Sequence, residues 1–138
     1  MKTVPVQEVV TVDVNGENAQ GDDLDQYLAS VREEADAISA SLETDDLTQT
    51  EMNLKAGELS DLWDTAMNRT LEAVMNTLSA EEMEELTADQ NEWLETRTQA
   101  MEAAGKEFEG GSMYALVVSS EAAKLTEARV YELYALLK

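Results

Sequence analysis

The chain has 138 residues, room for one domain with one core, and its 30 acidic against 9 basic residues give a formal net charge of −21 without a histidine. Such a surface repels nucleic acid and anionic lipid and attracts basic proteins at long range, so nucleic acid is excluded as a partner. With no cysteine and no histidine, disulfides, thiolate catalysis, thiol metal sites and imidazole acid–base chemistry are excluded as well.

Residues 1–21 stand apart. Val4, Val6, Val9, Val10, Val12 and Val14 alternate in part and are β-branched, and NGENAQGDD ends the pattern. The segment reads as an extended arm, either a strand-like piece lying on the body or a linker from an upstream anchor, since a single short strand has no partner here. Asp13, Asn15 and Glu17 alternate like calcium-loop ligands. The glycine is fourth instead of sixth and no closing acid is in register, so a solvated acidic linker is the simpler reading and no metal or cofactor is expected. No apolar run approaches the ~20 residues of a membrane span, and the start lacks the apolar stretch of a signal peptide. The chain reads as soluble, or as the mature part of an exported protein whose signal is absent.

From residue 22 to 138 the period is helical. Leu24, Leu28, Val31, Ala35, Ile38 and Leu42 step by three or four and mark a first helix. Thr48 with Glu51 forms a capping box, flanked by Leu47 and Met52 in staple positions, and opens a second helix. That helix carries Leu59, Leu62, Trp63, Ala66, Met67, Leu71, Val74, Met75 and Leu78 on a face broad enough for more than one neighbour, with a kink expected near Gly57. Ser79 with Glu82 repeats the box and opens a third helix that runs to about Gly105. GKEFEGGS follows, with Ser112 as candidate N-cap of a fourth helix from Met113 to near Leu137. Its face includes Leu116, Val118, Ala122, Leu125, Leu133 and Leu136. The fold class is all-α, a bundle of about four mostly antiparallel helices with an extended N-terminal arm.

Polar residues on apolar stripes carry the most information. Gln90 and Arg97 share the third helix's stripe with Met83, Leu86, Trp93, Met101 and Ala104, and Arg129 lies on the fourth helix's seam. An unpaired charge there costs ~3 to 5 kcal/mol, so each arginine needs a carboxylate on a facing helix, with Asp64 and Glu58 the best-placed candidates. Such pairs either fix helix register or form an anion pocket, and the surrounding acids favour the first. Trp63 and Trp93 read as core. Phe108, between acids in the glycine-rich connection, reads either as an interface anchor or as a cover for the bundle end. Paired carboxylates for glycoside hydrolysis arise by chance among 30 acids, so the chain is read as a non-enzyme.

Met52 and Asn53, then DTAMN with Asp64 and Asn68, then Gln90, Trp93 and Arg97, then GGS at 110–112, then LTEAR with Thr126 and Arg129, and Leu133, together resemble the N-terminal-like domain of LprI-type lysozyme inhibitors over roughly residues 48–135. Where members of that family carry cysteines, Lys55, Met101 and Glu121 stand here, so the chain is a cysteine-free member. The resemblance implies an exported envelope protein, lipid-anchored upstream or free, that binds a protein such as lysozyme, with Glu107, Phe108, Glu109, Gly110, Gly111 and Ser112 as the candidate partner-binding loop. The alternative is a helical interaction module of the envelope without inhibitory activity.

Overall fold

A computed structural model describes the backbone of residues 17–138 and the side chains from residue 23 onward. The arm as far as residue 16, with the calcium-like Asp13 and Asn15, lies outside the described residues. Within them are four α-helices, α1 (Glu17–Thr44), α2 (Gln49–Met75), α3 (Ala80–Gly105) and α4 (Tyr114–Ala135), with a 3₁₀ turn at Lys106–Phe108 between the last two. The first helix begins earlier than the periodicity from Leu24 indicates.

Both capping boxes form. The Thr48 hydroxyl accepts from the Glu51 amide while the Glu51 carboxylate accepts from the Thr48 amide, and Ser79 and Glu82 repeat the exchange. Two otherwise unpaired amides are satisfied at each start, and the acid sits favourably against the helix dipole. The fourth helix corrects the expectation for Ser112. Its N-cap is Met113, one residue later, with no side-chain cap bond, and the Ser112 carbonyl accepts from Asn53 Nδ2 at 3.0 Å.

That bond helps set the topology. Asn53 is near the start of α2 and Ser112 stands just ahead of α4. Further along both helices Trp63 meets Tyr131 edge-on, ring centroids 6.0 Å apart, so α2 and α4 run parallel. They form the most intimate pair, and Ala56, Ala66, Ala122 and Ala123, all buried, are the small residues that let two helices approach closely. α1 packs antiparallel on one side, with Arg32 bonded to Glu127 and Asp25 to Tyr134. α3 packs antiparallel on the other side, mainly against α4. Sequential neighbours are therefore antiparallel while the diagonal pair is parallel.

The core runs through Leu24, Leu28, Val31, Trp63, Met67, Val74, Val130 and Leu133. Two residues placed on buried stripes by periodicity are exposed: Met83 in the first turn of α3, and Leu136, which follows the last residue of α4. Terminal turns project beyond the facing helix, so the stripe there has nothing to cover it. Tyr27 is held above its ordinary range by burial, opposed by the Arg69 guanidinium 4.1 Å from its ring centroid, with Glu34 adding to the rise.

The glycines separate by environment. α2 continues through Gly57, and nothing lies within 4 Å of a Cβ built there, whereas one built at Gly105 would lie 2.6 Å from Val118 Cγ2 and 2.8 Å from Tyr114 Cε1. Gly57→Ala should therefore raise stability by about 0.5–1 kcal/mol, and Gly105→Ala lower it by about 1–3 kcal/mol, read from urea midpoints. Because the fold favours the neutral phenol of Tyr27, its contribution is intact below pH 10.0 and is lost as pH rises through the raised folded value. Tyr27→Phe should make alkaline denaturation less steep in that range.

Candidate functional site

The seam between α3 and the central pair is built around Trp93, half-buried, with two guanidinium groups close by: Arg97 Cζ lies 5.2 Å and Arg129 Cζ 5.7 Å from its ring. Arg97 Nη1 donates to Asp64 Oδ1 of α2 and to Thr126 Oγ1 of α4, both at 2.9 Å. One side chain of α3 thus ties down two other helices. The fully buried Thr126 hydroxyl accepts one of those bonds, while Arg97 Nε is buried without a partner.

Arg129 on α4 reaches back. Its Nε donates to Gln90 Oε1 at 2.9 Å, its Nη2 to Asp89 at 2.9 Å and its Nη1 to Glu132 at 3.1 Å. The Gln90 amide then points its own N–H at Met67 Sδ of α2, 3.4 Å away. Five N–H bonds from four nitrogens of the two arginines go to protein acceptors, an arrangement that holds helices in register. Asp64 is the partner of Arg97, as expected; Glu58 is not, because it is exposed one and a half turns earlier on α2, and Asp89 and Glu132 serve Arg129 instead.

The motif residues divide cleanly. Asp64, Gln90, Trp93, Arg97, Thr126 and Arg129 meet in this seam, and Asn53, which also accepts from Gln49 Nε2, ties the start of α2 to the loop before α4. Asn68 does neither: it is exposed on α2.

The candidate partner loop follows the 3₁₀ turn. The Gly111 amide donates to the Phe108 carbonyl at 2.9 Å, with Glu109 at φ −57°, ψ 132° and Gly110 at φ 80°. Those values define a type II turn, whose third position takes glycine because it needs positive φ. Glu107, Glu109, Gly110, Gly111 and Ser112 are exposed. Phe108 is half-buried, between the two readings made of it.

Arg32 escaped the sequence reading. It lies four residues after Leu28, on the edge of the α1 stripe, and that position was the available signal. Its guanidinium stacks over Trp63 at 5.1 Å and Tyr131 at 5.4 Å while Nη2 bonds Glu127 at 2.7 Å, and this hydrogen bond raises its pKa further above an already high value. The side chain floors a shallow groove of about 210 Å³ between α1, α2 and α4, where Ser39, Ser120, Lys124 and Glu127 also face. Trp63 beneath it is 1% exposed and offers no stacking surface to a ligand. Among the described residues, no three carboxylates converge as metal ligands would.

The structure defines an all-α bundle whose third helix is held by arginine bridges and whose exposed glycine turn lies at one end. The sequence profile of the family described as lysozyme inhibitor LprI matches residues 39–133, from the last turns of α1 through most of α4, and the chain belongs to that family. No curated protein and no solved structure matches it.

The paired geometry makes a separable prediction. Arg97→Ala removes the Thr126 contact and leaves Asp64, whose side chain is 43% exposed and can be rehydrated, so the loss should be about 2 kcal/mol, below that for a fully buried pair. Arg97→Met combined with Asp64→Leu should recover most of that loss, measured by thermal and urea unfolding.

Proposed function

We propose that this protein is a non-catalytic, extracytoplasmic binding domain that recognises a basic protein, with lysozyme as the ligand of choice. The observation that carries the reading is the family match over residues 39–133, which covers both the arginine seam and the glycine turn. The charge supplies a physical argument of its own. Lysozymes are commonly strongly basic, and a domain of net charge −21 steers a basic protein toward itself at a high encounter rate.

The extracytoplasmic part of the reading rests on the family match. The chain uses no cysteine, so its stability owes nothing to the redox state of its surroundings. No helix among the described residues is long and apolar enough to cross a membrane, in keeping with a domain that works in solution or behind an anchor upstream. The acids are mostly exposed and available to a partner. Binding would run through the turn at 107–112, whose backbone is fixed by the Gly111–Phe108 bond and whose neighbouring acids, Glu107 and Glu109, are exposed.

Calorimetric titration against a basic lysozyme at low salt and at about 0.3 M salt, with lytic activity read on the same samples, tests the proposal. One-to-one binding that persists at the higher salt and suppresses lysis is the expected result. Binding that disappears with salt and leaves lysis intact would reduce the interaction to screened charge attraction and favour a helical interaction module.

A further inference from the structure

Large apolar side chains are scarce on this surface. Of the described residues, only Leu54, Met83, Met113, Tyr114 and Leu136 leave a large apolar side chain well exposed. Three of them gather at one end. The Asn53–Ser112 bond of 3.0 Å joins the residue before Leu54 to the residue before Met113, and Tyr114 follows. Their exposures are 64%, 42% and 38%. The Tyr114 ring lies across Gly105, so the same end also takes in the last residue of α3 and, through the 3₁₀ turn, Phe108.

Around this apolar centre stands an acidic rim. Asp45, Asp46, Glu51, Glu107 and Glu109 are exposed there, against Lys55 and Lys106. All belong to segments that meet at this end, because α1 and α3 finish where α2 and α4 begin. An apolar centre of Leu, Met and Tyr inside a charged rim is the anatomy of a protein interface. The backbone beneath it is held before any partner arrives, by the Asn53 tether and the type II turn, so little ordering is left to oppose binding.

The opposite end has the charge and two exposed apolar side chains, Met83 and Leu136, against three at the first end. α3 begins there with exposed Glu81, Glu82, Glu84 and Glu85 beside Met83, on a plain helical turn. Electrostatic attraction alone would not distinguish the two ends; the larger apolar group and the tethered turn beside it do.

We infer that the bundle end formed by the starts of α2 and α4 and the turn at residues 108–111 is the docking face for the basic partner, with Leu54 and Met113 as apolar anchors and Glu107 and Glu109 on its rim. The inference rests on the proposed function and extends the site from one loop to a face built on two helix starts. The occupant is a folded basic protein that presents an apolar spot ringed by lysine or arginine, because both the centre and the rim must be matched.

The test uses the full chain and a basic lysozyme in calorimetric titration at about 0.15 M salt. Leu54→Ser with Met113→Ser should weaken binding by at least about tenfold, and Glu84→Gln with Glu85→Gln, which removes two acids from the far end, should change it by less than about twofold. Leu54→Ser alone, at a position largely in solvent, should weaken binding by at least about threefold, and it provides the same readout if the double variant folds poorly by circular dichroism. Equal weakening by the two sets, or none from the Leu54 and Met113 changes, would overturn this face while leaving lysozyme binding itself in place. Absence of binding by the unmodified chain would overturn both the face and the reading it rests on.

Discussion

The attachment of α3 depends on two guanidinium groups set around one indole. Only Gln90 and Gly105 of that helix are fully buried, and its apolar contribution is the partly covered Leu86, Trp93 and Leu94. By comparison α2 buries Trp63, Met67 and Val74 outright. A helix with so little apolar area gains only a few kcal/mol from burial, at ~25 cal/mol per Å², and directional bonds have to supply position. Arg97 and Arg129 do so from opposite sides, one anchored in α3 and reaching outward, the other anchored in α4 and reaching in. Each is flanked by Trp93, whose ring face favours a nearby cation.

The choice of arginine follows from the chain's charge. In a protein with 30 acids, a carboxylate partner is available wherever a cation is placed, so the scarce component is the base. Arg32, Arg69, Arg97 and Arg129 all sit against aromatic rings. A planar guanidinium stacks on a ring and still donates in its own plane, which a lysine ammonium does not. Four of the nine basic residues thus link helices internally. The acids are left to dominate the exterior, and the fold is reconciled with a surface that repels itself.

Much of this was legible in the sequence because it is local or periodic. The capping boxes at Thr48 and Ser79 need only four consecutive residues, and both formed as read. The pairing of Arg97 with Asp64 followed from two stripes and the cost of an unpaired charge. What escaped has a common reason: periodicity says which face is buried, not which neighbour covers it. The parallel contact of α2 with α4 lies in that gap, as does the use of Asp89 and Glu132 by Arg129 in place of Glu58. Ser112 shows the converse. Its hydroxyl suited a cap, but the helix takes Met113 as its N-cap, and the Ser112 carbonyl instead accepts from the Asn53 side chain, 59 positions earlier. The family resemblance held over α2, α3 and most of α4, yet Asn68 stands exposed outside every network that the other motif residues join.

The uneven attachment of α3 also sets the order in which the molecule comes apart. α1, α2 and α4 share a continuous apolar core, whereas α3 joins it through hydrogen bonds and ion pairs that water can replace one at a time. A seam of that kind favours local opening at α3 ahead of α2 and α4. A three-helix remnant with α3 detached would still carry the start of α2, but it would lose the anchor of the 3₁₀ turn that fixes one side of the bundle end. The polar seam at Trp93 and the shape of a surface two to three turns away are thus linked through the rigidity of a single helix.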